Sequence, residues 1–178
     1  MHALVSLLPE PYYGQVELLW DELETNFGLR SIRVTPHFSW QVSETYAEHS
    51  IIPTIEKLAL ETKPFEVHVK AIEAFFSPNP VVFLKILRDT HLTLLHTKIW
   101  LKLLPISNSP NFLYSPILWR PHISLAYHDL TKEVLKEVIA FLKAKNIDWK
   151  FTVDNLALVC QAGDEVGKLR STFTLLGK

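Results

Sequence analysis

Apolar residues recur along this chain in alternating blocks with two periods, about 3.6 and about 2 residues. "HALVSLLP" is a short apolar run that reads as a buried strand, stopped by Pro9 and Pro11. In "YYGQVELLWDELETNFG", Val16, Leu19, Trp20 and Leu23 fall on one helical face and Gly28 supplies a stop. "HFSWQVS" alternates and predicts a strand, and "YAEHSIIPTIEKLALET" predicts a helix that tolerates Pro53 in an early turn. "FEVHVKAIEAFF" and "VVFLKILR" predict strands joined by the turn "SPNP". The second half keeps this rhythm. It predicts a helix "THLTLLHTKIWLKLLP" with Thr90 as N-cap, a loop over Pro105–Pro116, a strand "HISLAYHDL" and a helix "TKEVLKEVIAFLKAKN" capped by Thr131. "WKFTVDNLALVCQ" and "LRSTFTLLG" close the series as strands, with Gly163 and Gly167 in the hairpin between them. In each half a strand precedes a helix and then two strands. The expectation is an α+β chain whose residues 1–178 form a single domain of two packed lobes.

One phrase marks the strand that opens each unit: "TPHFSWQ" at Thr35–Gln41 and "RPHISLA" at Arg120–Ala126. Strand alternation puts His37, Ser39 and Gln41 on one face, with Phe38, Trp40 and Val42 on the other. Likewise His122, Ser124 and Ala126 share a face, opposite Ile123, Leu125 and Tyr127. With 8 histidines, about one His-x-Ser/Thr match arises by chance. A third match, His91–Thr93, begins a predicted helix, where its two side chains diverge. The other two share a preceding Pro, apolar flanks and equivalent places in the two halves.

Two such pairs facing one cleft suit phosphoryl transfer without a metal. One neutral imidazole takes a proton from the attacking oxygen, and the other, protonated, gives one to the leaving alkoxide. The serine hydroxyls donate to the non-bridging oxygens. Composition narrows the ligand. The net charge is −1, from 18 basic against 19 acidic residues. The chain has no long basic run, which favours a small ligand or a short RNA end over long nucleic acid. At 48% hydrophobic and 21% charged, the chain can fill a core. The single Cys160 predicts a buried small residue and a reducing compartment. "MHALVSLLPEPYY" has no basic n-region and no run is long enough to span a bilayer, so a cytoplasmic protein is expected.

The paired phrases resemble the His-x-Ser/Thr-x motifs of the 2H phosphoesterase superfamily, which includes bacterial 2′-5′ RNA ligases and cyclic phosphodiesterases. The resemblance implies a bilobal α+β fold with a pseudo-twofold axis. Two antiparallel sheets would line a central cleft, with helices packed outside. It implies His37 and His122 as the acid–base pair and Ser39 and Ser124 as phosphate-binding hydroxyls. The implied reaction is hydrolysis of a 2′,3′-cyclic phosphate to a 2′-phosphate. The alternatives are 2′-5′ ligation or cleavage at RNA ends, a nucleotide-binding module without turnover, and a metallohydrolase. The last is disfavoured because the two phrases hold no carboxylate.

Tyr12, Tyr13, Trp119 and Arg120 are candidate substrate contacts by position, with Tyr114, Lys168 and Arg170 behind them. Trp40 and Tyr127 are assigned to the core by alternation. His2, His49, His68, His91, His96 and His128 lack metal-ligand spacing and are expected to be structural or superficial. The loop Pro105–Trp119 reads as a lid, a substrate wall or a passive connection. No cofactor, no metal and a monomer are expected.

Overall fold

A computed structural model of the chain describes residues 1–30, 34–76, 79–127, 129–162 and 165–178; side chains of residues 161, 162, 165 and 166 are not described. Strand β1 (His2–Leu7) leads to helix α1 (Tyr12–Phe27), β2 (His37–Tyr46), α2 (Glu48–Leu60), β3 (Phe65–Phe75) and β4 (Val81–Ile86). Then follow α3 (Thr90–Leu103), β5 (Ser107–Pro110), β6 (His122–Ala126), α4 (Lys132–Ala144), β7 (Trp149–Val153), β8 (Asn155–Ala162) and β9 (Glu165–Thr174). Five strands form an antiparallel sheet in the order β5-β2-β1-β8-β9, and four form a second in the order β6-β4-β3-β7.

The two sheets are built alike and trade strands. β1 lies between β2 and β8, and β4 lies between β6 and β3. β8, from late in the chain, thus completes the sheet of the first motif, while β3 completes that of the second. One apolar cluster, including Leu4, Trp40, Ile99 and Leu158, fills the space under both sheets.

Helix α1 buries Val16, Leu19, Trp20 and Leu23, as its periodicity requires, and ends at Gly28 in the left-handed region. Four expectations are corrected. Asp89, not Thr90, caps α3, its carboxylate accepting the Leu92 N–H at 2.7 Å. Thr131 occupies the N-cap of α4, but its side chain bonds the Glu133 side chain rather than a helix backbone N–H. "WKFTVDNLALVCQ" breaks at Asp154 into β7 and β8, which lie in different sheets. The loop after α3 holds β5, which adds to the edge of β2, and 3₁₀ turns at Leu104–Ile106 and Phe112–Tyr114. Gly163 lies outside the described residues; Gly167 falls within β9 at φ +73, where an added Cβ would meet Val34 Cγ1 at 2.9 Å.

Candidate active site

The dipeptide Pro-His sets up each motif locally. The residue before a proline is pushed to extended backbone. Thr35 and Arg120 occupy that place, and each carbonyl accepts from the imidazole two residues on, His37 Nδ1 at 2.6 Å and His122 Nδ1 at 2.6 Å. Each proline carbonyl accepts an N–H at the end of the neighbouring strand, just past β1 or at the last residue of β4: Leu8 N to Pro36 O at 3.1 Å and Ile86 N to Pro121 O at 3.1 Å. Both rings are thereby held as the Nδ1–H tautomer, and Nε2 is the nitrogen left for the cleft.

Beyond each serine the strand bulges at the same place. Val5 pairs with Ser39 but Leu4 with Gln41, so Trp40 is an extra residue. Phe83 pairs with Ser124 but Val82 with Ala126, so Leu125 is an extra residue. Each bulge resets the alternation. Gln41 turns to the core, fully buried, with Oε1 accepting from Ser107 Oγ at 3.1 Å, and Val42 turns to the cleft. Ala126 is buried against the core while still bordering the cleft, and Tyr127 lines the cleft at 38% exposure. The expected faces of Gln41, Val42 and Tyr127 are therefore reversed. Trp40 stays in the core, its indole N–H donating to Ser6 Oγ at 2.8 Å.

His37, Ser39, His122 and Ser124 line one cleft of about 480 Å³ between the sheets, with Ala3, Val42, Tyr114, Tyr127 and Val159 among its walls. Val5, Ala157 and Val159 make an apolar patch on the same face of the larger sheet. Burial pushes the His37 imidazole below its usual 6.5, against the pull of the Thr35 carbonyl. Burial lowers His122 as well, opposed by the Arg120 carbonyl and reinforced by the nearby charge of His37. Two protons on this pair are thus disfavoured. The His122 ring leans on Phe83 and Phe75, with centroids at 4.9 and 5.2 Å. Ser39 shares a hydrogen bond with the Tyr114 hydroxyl, whose pKa burial raises.

The remaining candidates divide. Arg120 lines a second groove with Glu73, Phe83, Lys85 and Arg88. Lys85 stands opposite His122 in the sheet and is paired with Glu73 at 2.7 Å, so this groove continues from the His122 side of the cleft. Trp119 is 2% exposed and stacked on His96, and thus packs in the core, though it also borders this second groove and not the cleft. Tyr12 donates to the Lys150 carbonyl at 2.7 Å and packs on Phe151, so it is tied down away from the cleft. Tyr13 packs against the core and lines neither groove. Arg170 pairs with Glu48 at 3.7 Å. Cys160 is half-buried in the cleft wall rather than fully buried.

Of the other histidines, His68 pairs with Asp148 at 2.5 Å, His91 packs on Phe65 and His49 is exposed. His2 lines the rim of the cleft, its ring bonded to the Glu44 carbonyl. His128 lies outside the described residues. Among the described residues no group of three or more His, Cys, Asp or Glu side chains is placed to hold a metal ion, and no helix is long and apolar enough to cross a membrane.

Residues 12–165 match the family model of the 2′-5′ RNA ligase superfamily. The chain is 21% identical over 152 residues to the "Putative phosphoesterase" of Bacillus pumilus (strain SAFR-032), covering 85% of this chain and 84% of that one. A similarly named protein of Bacillus cytotoxicus is 24% identical over 146 residues, 80% of each chain. The fold matches the crystal structure of TT0787 of Thermus thermophilus with a TM-score of 0.71 at 15% identity, covering 99% of this chain and 98% of that one. It also matches Usb1 of Kluyveromyces marxianus, solved with uridine monophosphate, with a TM-score of 0.53 at 11% identity over 98% and 96% of the two chains.

Proposed function

The chain belongs to the 2′-5′ RNA ligase superfamily, and from that premise we propose that it is a metal-independent phosphoesterase opening 2′,3′-cyclic phosphates of nucleotides or RNA ends. The observation that carries this reading is the pair of imidazoles on one cleft, each with Nδ1 tied to a carbonyl and Nε2 left over. One Nε2 lone pair takes a proton from water as its oxygen attacks phosphorus. The other Nε2, protonated, passes its proton to the departing 3′ oxygen, leaving a 2′-phosphate. Because the second proton on the pair is disfavoured, the site favours the one-base, one-acid state over a doubly charged one. An anionic phosphate between the rings would draw that single proton in. Ser39 and Ser124 would donate to the non-bridging oxygens.

The near-symmetry of the motifs favours a second reading, 2′-5′ bond formation as the same chemistry run backwards with the histidines exchanging roles. The uridine monophosphate held by a structural relative supports a nucleotide-sized ligand. Arg120 and Lys85 beside His122 would meet a further phosphate of an RNA end.

The test is a panel of nucleoside 2′,3′-cyclic phosphates and 2′-5′ dinucleotides, assayed in EDTA with product identification. Turnover to 2′-phosphates in chelator is expected. Absence of turnover, or activity restored only by added metal, overturns the proposal.

A further inference from the structure

The bulge in β2 creates a problem that the second motif does not share in the same form. β5 pairs with β2 only from Ser43 onward, so the outer edge of β2 around Ser39 has no neighbouring strand. The carbonyls of Ser39 and Trp40 are bonded instead by two side chains. The Trp119 indole N–H donates to Ser39 O at 2.9 Å, and His96 Nε2–H donates to Trp40 O at 3.0 Å. The two rings are stacked, 3.8 Å between centroids and 10° from parallel. Arg88 lies 5.6 Å from the centre of the Trp119 ring, and its guanidinium donates to the Trp119 carbonyl at 3.0 Å and the Pro116 carbonyl at 2.7 Å. Neither ring lines the cleft.

We infer that Trp119 and His96 are positioning residues that hold the β2 bulge, and through it the Ser39 hydroxyl and the His37 ring, at the reacting phosphate. Neither lines the cleft that would hold the reacting phosphate. A buried carbonyl without a strand partner needs another donor, and these two ring N–H groups meet consecutive carbonyls, one of them Ser39's own. Burial pushes the His96 pKa down to about 4, so the ring stays neutral and Nε2–H stays a donor over any ordinary working pH. The inference rests on the proposed function for its kinetic readout.

The test is a set of double-mutant cycles on a 2′,3′-cyclic nucleotide, with wild-type turnover and its loss in His37→Ala as the separate check on the activity itself. Trp119→Phe keeps an aromatic ring and removes the donor. It is expected to lower kcat on the order of tenfold with KM little changed. In a Ser39→Ala background the same change is expected to cost less than about twofold, and in a Ser124→Ala background its full effect. Equal losses in all backgrounds would mean a general packing role and overturn the inference. Should Trp119→Phe fail to fold, His96→Gln, which keeps a donor, is expected to retain the activity that His96→Leu loses; equal loss in both overturns it. A readout independent of turnover is the NMR titration of the two imidazoles. The donor-loss variant is expected to shift His37 and leave His122 in place, and an unmoved His37 counts against the inference.

Discussion

β2 runs inside a five-stranded sheet, flanked by β1 and, from Ser43, by β5, whereas β6 is the edge of a four-stranded one. Each strand nevertheless carries the same parts in the same order: an extended residue before proline, an imidazole tied back through Nδ1, a serine, and a bulge after it. The surroundings differ. Ser39 is bonded to Tyr114 and its carbonyl is held by Trp119, while Ser124 is exposed and its hydroxyl has no hydrogen-bond partner among the described residues. His122 rests on two phenylalanine rings beside a cationic groove. The four groups that line the cleft are matched, and the scaffolding behind them follows whatever packs against each sheet.

The largest effects should fall on the matched parts. His37→Ala and His122→Ala are each expected to lower kcat by about 10²–10⁴-fold while product still binds, measured by steady-state kinetics and calorimetry. Full activity in either variant breaks the equivalence. The serines come next. Ser39→Ala is expected to cost on the order of 10²-fold in kcat, and Ser124→Ala less, because Ser39 is already oriented by Tyr114. Tyr114→Phe should bring the two serine effects together.

The pH profile follows from the shared shift. Both imidazoles titrate below 6.5 in the free protein, so the state with one proton on the pair is most populated below that pH. A bell-shaped kcat/KM profile with its maximum on the acid side of 6.5 is expected; a maximum above neutrality would contradict it. Arg120→Ala should raise KM several-fold for an RNA end bearing a second phosphate and leave a mononucleotide unaffected. The smallest effect is on Tyr12, where Phe should cost about 1 kcal/mol of stability, read by denaturant titration, and nothing in KM.

The helical and strand periods make most elements legible without coordinates, down to the four buried residues of α1. The paired phrases are legible because proline, histidine and serine recur together. The bulges are not, because one inserted residue leaves the alternating pattern of the letters intact while reversing Val42 and Tyr127 in space. Trp119, next to a motif, reads as a stacking platform. Its burial depends on α3, Arg88 and the β2 edge, partners far away in the chain. Asp154, where one apolar run passes between sheets, carries no punctuation beyond two polar letters.

The exchange of strands between the sheets also sets a timetable. Ser6 in β1 bonds the carbonyl of Asn155 in β8, 149 positions away. On a ribosome adding about 5–20 residues per second, β1 waits roughly 7–30 seconds for that neighbour. Until then one of its edges stands open, and an unpaired apolar edge invites other chains. The first motif strand, β2, can pair with β1 early, yet the sheet beneath the cleft closes only after β8 has been made.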